Sequence, residues 1–135
     1  MPINHYSNVL IVDDSATVRS LVRKILTQLG YKNIDEASDG ESALDKIFDK
    51  HFDLVISDWN MEPMNGEELL KEDRANKKYA QLPFIMMTSD CAINKVVLAR
   101  RAGADSFINK PFNPAGLQAK IYEMNTHRVR HPVPV

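Results

Sequence analysis

Five short apolar runs alternate along this chain with longer stretches in which apolar residues return every three or four positions. The runs are rich in Val, Ile and Phe, and the longer stretches have the spacing of amphipathic helices. This alternation is typical of βαβ units around a parallel sheet. The sequence therefore predicts five strand–helix pairs in one α/β domain, with strands at residues 9–12, 34–37, 54–57, 84–88 and 106–109.

The predicted helices begin near residues 16, 40, 92 and 114, and the third helix contains Leu69 and Leu70. Ser15 and Gly30 have the residue types of an N-cap and a C-cap for the first helix. The second strand is more polar than the first, which favours an edge position for it and a central position for the first. Asp73 lies where the third helix needs an apolar residue, so we expect that helix to be short or loosely docked. The second helix is expected to bury Ala43, Leu44, Ile47 and Phe48.

Length and composition set the class of protein. A chain of 135 residues with 44% hydrophobic and 26% charged residues fits one globular domain. Its net charge of −1 gives no electrostatic footprint for nucleic acid. The single Cys91 excludes an internal disulfide, and we see neither a signal peptide nor a membrane-length apolar run. We expect a cytoplasmic protein with its domain at residues 1–126 and a flexible tail at 127–135.

Three carboxylates follow two of the predicted strands. Asp13 and Asp14 come directly after the first strand, and Asp58 comes directly after the third. Because the carboxyl ends of parallel strands share one edge, we expect these side chains to converge. Two such charges 4 Å apart repel by about 4 kcal/mol at an intermediate dielectric, and Mg²⁺, or Mn²⁺ in its place, would relieve that repulsion. We predict Asp14 and Asp58 as direct ligands, Asp13 as a water-mediated ligand and the backbone carbonyl of Asn60 as a further one.

In that setting Asp58 is a carboxylate nucleophile suited to aspartyl-phosphate formation. Lys110 follows the fifth strand and would stabilise phosphoryl charge on the side opposite the metal. Thr88 and Ser89 end the fourth strand and add hydroxyl groups. The Thr88 hydroxyl reaches a phosphoryl oxygen only if its loop moves inward, which makes Thr88 a switch residue. The residues alone therefore predict a magnesium-dependent, phosphoryl-accepting site.

Over residues 7–125 the chain resembles the receiver domains of two-component response regulators, and most of all the stand-alone, CheY-like type. The resemblance implies a doubly wound (βα)5 fold, flavodoxin-like, with strand order 2-1-3-4-5. It also implies phosphorylation of Asp58 by a sensor histidine kinase or phosphotransfer protein, with signalling through the fourth helix, fifth strand and fifth helix. The matching residues are Asp13-Asp14, Asp58, Gly66, Thr88-Ser89, Ala102-Gly103-Ala104 and Lys110-Pro111-Phe112.

The resemblance assigns roles to residues around the site. Phe107 occupies the position of the switch aromatic, where many family members have Tyr, so an output that needs the ring hydroxyl is not expected here. Asn60 and Asp90 flank the site at positions that tune the rate of acyl-phosphate hydrolysis in this family. The peptide bond before Pro111 is often cis in the family. Trp59 is either a surface aromatic or a partner contact.

One loop departs from the family pattern. The family usually has Pro four residues after the phosphorylated Asp, whereas this chain has Glu62 there, followed by Pro63. The loop beside the metal is therefore expected to follow a different path, with Glu62 adding negative charge near it.

The functional hypothesis is a single-domain regulator that catalyses its own phosphorylation and dephosphorylation without being a turnover enzyme. Its output would be a partner protein such as a flagellar motor switch, or the draining of phosphate from a shared kinase. A haloacid-dehalogenase-type phosphatase is an alternative, but its paired acids lie two residues apart after the first strand. A flavodoxin-like FMN carrier is disfavoured because Asp13 and Asp14 would repel its phosphate. Cyclic-dinucleotide binding would rest on scattered arginines, namely Arg100, Arg101, Arg128 and Arg130.

Overall fold

The computed structural model describes residues 2–89 and 93–130. Strands and helices alternate through these residues in the predicted order, and none of the helices described is long and apolar enough to cross a membrane. Their bounds are β1 Asn8–Val12, α1 Ala16–Gln28, β2 Asn33–Ala37, α2 Gly40–Asp49, β3 Leu54–Asp58, α3 Gly66–Ala75, β4 Phe84–Thr88, α4 Ile93–Ala102, β5 Ser106–Asn109 and α5 Pro114–Arg130.

The five strands form one parallel sheet in the order β2-β1-β3-β4-β5. This order confirms the predicted fold class. β3 and β4 are buried along their whole length, as expected for runs that are apolar on both faces. β2 lies at an edge and keeps its polar side chains partly exposed. Because the chain changes direction across the sheet between β1 and β3, a crevice lies beyond the carboxyl ends of these two strands.

The core consists of two apolar layers, one on each face of the sheet. Val9 and Ile11 of β1 belong to the layer that α1 and α5 cover, and Leu10 and Val12 belong to the layer that α2, α3 and α4 cover. This alternation follows from the two-residue period of a strand. Burying one such side chain contributes roughly 1.5–3 kcal/mol. The helices supply Val22, Ile25, Leu26, Leu117, Ile121 and Met124 to the first layer and Ala43, Ile47, Leu69, Leu70 and Ala99 to the second.

The ends of α1 are set by the two residues that the sequence predicts. The Ser15 side chain accepts a hydrogen bond from the backbone N–H of Val18 at 3.3 Å. Gly30 follows the helix with φ at +99°, a left-handed conformation that favours glycine. The chain therefore leaves α1 in the direction that β2 requires.

Arg74, near the end of α3, joins three segments of the chain. Its guanidinium donates hydrogen bonds to the carbonyl oxygens of Tyr79 at 3.2 Å, Leu82 at 2.8 Å and Gly103 at 2.9 Å. It also pairs with the Asp105 carboxylate at 3.1 Å, and the Arg74 side chain is only 18% exposed. The C-terminal end of α4 and the start of β5 are thereby fixed to α3.

The predicted burial of Phe48 was wrong, whereas the predicted domain boundary at 126 stays a prediction. Phe48 is 50% exposed, because α2 packs on the sheet through the narrower stripe of Ala43 and Ile47. The centroid of the Phe48 ring lies 5.3 Å from that of the Tyr79 ring. α5 continues to Arg130, past the predicted domain boundary at 126, because neither Gly nor Pro interrupts that stretch. The remainder of the predicted tail, 131–135, lies outside the described residues, as does the first residue of the predicted fourth helix.

Asp73 is fully buried, and α3 is neither short nor loosely docked. Asp73 is 0% exposed, as are Leu69 and Leu70, which lie on the same helix face. Among the described residues neither carboxylate oxygen of Asp73 has a hydrogen-bond partner. Burial raises the pKa of Asp73 to about 7, with a smaller opposing effect from the charge of Arg74 and a small further increase from Glu72. A neutral carboxyl group is far less costly to bury than a charged one, and the raised pKa of Asp73 favours its neutral form.

We expect Asp73→Leu to stabilise the protein increasingly as the pH rises. Because the pKa of Asp73 is raised from 3.8 to about 7, the folded state retains a proton that the unfolded state has lost, and stability falls across that window. The loss should approach about 4 kcal/mol above pH 7 and vanish near pH 4. Urea unfolding of the wild type and the variant at pH 4, 6 and 8 measures it. A difference in free energy of unfolding that does not change with pH would contradict the prediction.

Candidate functional site

The carboxylates of Asp13, Asp14 and Asp58 converge beyond the ends of β1 and β3. The two strands are neighbours, with Val12 paired to Ser57, so the next residue of each strand reaches the same edge. One ligand atom from each carboxylate lies within 4.8 Å of the others. Asp13 and Asp58 are 1% and 7% exposed, whereas Asp14 lies at the exposed rim. The structure therefore brings together the three acids that the sequence singled out.

Lys110 reaches this cluster from the end of β5. Its Nζ lies 2.9 Å from Asp58 Oδ1 and 3.0 Å from Asp13 Oδ2, so one ammonium bridges two of the acids. The Lys110 backbone N–H donates to the carbonyl oxygen of Thr88 at 2.7 Å, which ties the end of β5 to the end of β4. The Lys110–Pro111 peptide bond is cis, as the resemblance implied.

The charges of the cluster depend on one another. Burial raises the pKa of Asp58 above its ordinary value; the hydrogen bond from Lys110 opposes this effect, and the charges of Asp13 and Asp14 add to it. Burial alone would lower the pKa of Lys110, but its hydrogen bonds to Asp58 and Asp13 outweigh burial and raise it. Lys110 is therefore a permanent cation that offsets part of the repulsion among the carboxylates.

Asp13, in the turn between β1 and α1, is held by hydrogen bonds to both its side chain and its backbone. Its Oδ1 accepts a hydrogen bond from the backbone N–H of Ser15 at 2.9 Å, and its own N–H donates to the carbonyl oxygen of Ala37 at 3.2 Å. Its carbonyl oxygen accepts a hydrogen bond from Arg19 Nη1 at 2.7 Å. Arg19 was not predicted from the sequence, where its place in the first helix, six residues after Asp13, is the only signal that could have suggested it.

The remaining predicted site residues lie around the cluster. Thr88 is the last residue of β4 and is 4% exposed, whereas Ser89 is exposed and lines a groove with Lys110 and Phe112. Phe107 is partly buried in β5 and borders the same narrow gap as Thr88. Asn60 is exposed two residues after Asp58, and Asp90 lies outside the described residues. Glu62 is exposed and is not part of the carboxylate cluster among the described residues; the Glu62–Pro63 bond is cis.

Trp59 is buried, so the prediction of a surface aromatic was wrong, and the alternative of a partner contact stays a prediction. It is 6% exposed and belongs to the apolar layer under α4. Lys95 of α4 lies over its ring, with Nζ 4.7 Å from the ring centroid. Because Trp59 directly follows Asp58, its indole is an intrinsic fluorescent probe of the acidic site.

The cluster has the composition of a binding site for a hard cation. All three side chains offer oxygen atoms, which Mg²⁺, Mn²⁺ and Ca²⁺ prefer, and the described residues add no His or Cys to the group. Burial, and to a smaller extent the charges of Asp13 and Asp14, raise the pKa of Asp58 in spite of the hydrogen bond from Lys110, so a further positive charge would stabilise its ionised form. The residues present therefore fit a divalent metal ion.

Comparison with known proteins identifies the family. Residues 9–122 match the family model of the response regulator receiver domain. This chain is a receiver domain. It is 40% identical over 119 residues to the chemotaxis protein CheY-3 of Vibrio cholerae, covering 88% of this chain and 92% of that protein. It is 42% identical over 118 residues to a CheY homolog of Campylobacter jejuni, covering 86% and 90%.

A solved structure agrees with the same assignment. The chemotaxis protein CheY4 of Vibrio cholerae superposes with a TM-score of 0.82 at 35% identity, over 88% of this chain and 98% of that one. The chain is therefore a signalling protein of two-component systems, with the fold of CheY-like receivers. This receiver domain carries a cluster of three carboxylates, those of Asp13, Asp14 and Asp58.

We expect Lys110→Met to tighten the binding of Mg²⁺ about tenfold, because the ammonium next to Asp58 and Asp13 repels an incoming cation. Titration followed by Trp59 fluorescence or by calorimetry measures the affinity. Lys120→Met, a lysine on α5 outside the acidic site, is the matched control and should bind like the wild type. Unchanged or weaker binding by Lys110→Met would show that Lys110 does not compete with the metal.

Proposed function

We propose that this protein is a CheY-like, single-domain response regulator that accepts a phosphoryl group on Asp58 from a sensor histidine kinase or phosphotransfer protein. The observation that carries the proposal is the position of the Asp58 carboxylate, between two further acids and the Lys110 ammonium. The match to chemotaxis regulators over about nine-tenths of their length supports a single-domain role. The expected cytoplasmic location is part of the proposal.

In the proposed reaction a carboxylate oxygen of Asp58 attacks the phosphorus of a phosphohistidine. The new O–P bond forms as the P–N bond breaks, and the histidine nitrogen leaves with the bond's electron pair. Lys110, 2.9 Å from Asp58, is placed to pair with an oxygen of the arriving phosphoryl group. Such transfers depend mainly on positioning and charge neutralisation. Hydrolysis of the acyl phosphate would return Asp58, at a rate that Asn60 and Asp90 help to set.

A divalent metal ion, Mg²⁺ or in its place Mn²⁺, would neutralise negative charge on the phosphoryl oxygens. Asp14 and Asp58 would hold it directly, Asp13 through water, and the backbone carbonyl of Asn60 would complete the protein ligands. The fit rests on the oxygen-only donor set and on the short separations within the cluster.

The proposed switch runs from Thr88 to Phe107. A phosphoryl group on Asp58 would draw the Thr88 hydroxyl inward, assisted by Ser89, and vacate space that the Phe107 ring can enter. The two residues border one narrow gap with Trp59 and Ala99, which supports this route. The mechanism is a population shift between two arrangements of α4 and β5.

The proposed output surface is the face made by α4, β5 and α5. Val97 and Leu98 of α4 are 40% and 44% exposed, and Arg100 lies 5.7 Å from the centroid of the Phe107 ring. Exposed apolar residues bordered by cations suit a protein partner. The role would be chemotaxis-like or that of a phosphate sink for a shared kinase.

We expect incubation with acetyl phosphate and Mg²⁺ to add one phosphoryl group to the wild type and none to Asp58→Ala, as measured by intact mass. Asp73→Asn, which removes a buried carboxylate that is not part of the cluster, should label like the wild type. A chelator should abolish labelling. Labelling of Asp58→Ala would refute the acceptor assignment, and sustained turnover of p-nitrophenyl phosphate would favour the phosphatase alternative.

We expect Thr88→Ala to uncouple the output face from the phosphorylated site. The variant should still gain one phosphoryl group, because Asp58 and Lys110 are intact, but the amide NMR signals of Phe107 and α4 should no longer shift on labelling. Thr88→Ser keeps the hydroxyl and should retain both responses. Wild-type shifts in Thr88→Ala would eliminate Thr88 as the switch.

A further inference from the structure

Arg19 of α1 connects the acidic site to the edge strand of the sheet. Its Nη1 donates to the carbonyl oxygen of Asp13 at 2.7 Å, and its Nε pairs with Glu36 Oε1 at 3.1 Å. The Arg19 side chain is 18% exposed, so the guanidinium is largely withdrawn from water. The Nη1 and Nε groups of Arg19 thus join the turn after β1 to the Glu36 carboxylate on β2.

Glu36 is a fixed anchor for this contact. It lies opposite Ile11 in the β1–β2 ladder, and its second oxygen binds Arg23 Nε at 2.6 Å. The hydrogen bond from Arg23 lowers the pKa of Glu36, burial opposes this, and the hydrogen bond from Arg19 lowers it further. Glu36 therefore remains ionised, and charge-assisted hydrogen bonds of this kind are stronger than neutral ones.

The contact matters because Asp13 and Asp14 are adjacent carboxylates on a turn just beyond the strand. The backbone N–H of Asp13 donates a hydrogen bond to the carbonyl oxygen of Ala37, at the end of β2. The carbonyl oxygen of Asp13 instead accepts its hydrogen bond from the Arg19 side chain. Repulsion between the neighbouring carboxylates and Asp58 favours an opening of the turn. A guanidinium that holds the Asp13 carbonyl opposes that opening.

We propose that Arg19 is a positioning residue for the cation site: it fixes the backbone at Asp13 so that the carboxylates of Asp13 and Asp14 face Asp58. The inference rests on the metal-binding part of the proposed function. It assigns to Arg19 no contact with the metal, the phosphoryl group or the donor. Groups that orient metal ligands in this way typically change metal affinity by about 10–100-fold when they are replaced.

The charge of Arg19 and its hydrogen bond to Asp13 have opposite effects on metal affinity, so the direction of the change in affinity distinguishes them. Loss of a cation near three carboxylates would strengthen metal binding, whereas loss of the hydrogen bond to Asp13 would weaken it. Arg19→Lys keeps the charge and removes the planar fork that reaches both Asp13 and Glu36. Weaker binding in Arg19→Lys therefore reports position alone.

The matched control is Arg23→Lys. Arg23 binds the same Glu36 carboxylate from the same helix, but its second contact is the Ile34 carbonyl at 3.1 Å rather than the Asp13 carbonyl. Both variants are titrated with Mg²⁺ and followed by Trp59 fluorescence, and amide hydrogen exchange at Ser15 is measured without metal. Thermal unfolding checks that both remain folded.

We expect Arg19→Lys to bind Mg²⁺ about tenfold more weakly than the wild type and to exchange the Ser15 amide faster, because that amide donates to Asp13. Arg23→Lys keeps a cation beside Glu36 and leaves the bond from Arg19 to the Asp13 carbonyl in place, so it should change neither the affinity nor the exchange rate. Equal effects in the two variants, or wild-type affinity in Arg19→Lys, would overturn the inference while leaving the proposed function intact. Failure of the wild type to bind Mg²⁺ would instead refute the metal-binding proposal, and unchanged Ser15 exchange would refute the positioning role by itself.

Discussion

The mutual repulsion of three carboxylates, held together by the fold and only partly offset by Lys110, is the constraint on which the site depends. Asp13, Asp14 and Asp58 lie within 4.8 Å because β1 and β3 are adjacent, parallel and in register. A pocket in this state favours cations. Its formation follows from strand order as much as from residue type, since the same acids on non-adjacent strands would not meet.

Most of the fold and the centre of the site could be predicted because both are encoded locally. The apolar runs predicted all five strands, and the helical spacing of apolar residues predicted the helices that cover the sheet. The polar composition of β2 predicted its position at an edge. Acids and a lysine directly after strands must share one edge in a parallel sheet. The convergence of Asp13, Asp58 and Lys110 needed no further information than that.

What could not be predicted depends on contacts between distant segments. The burial of Asp73, which raises its pKa to about 7, reflects the packed environment, and the burial of Trp59 depends on Lys95 and α4 lying over it. The exposure of Phe48 depends on how α2 docks, and the role of Arg19 depends on a carboxylate supplied by β2. In each case the residue type was visible in the sequence, but its neighbours were not.

The anchoring of α4 at one end constrains how a signal can travel through it. Arg74 fastens the Gly103 carbonyl and Asp105 to α3, so the C-terminal end of α4 acts as a fulcrum. Thr88 lies in the sheet on the far side of the gap that Ala99 of α4 borders. In the proposed switch, a displacement at that gap would therefore tilt α4 about its anchored end, and a small movement of one hydroxyl would become a larger movement of the exposed side of the helix.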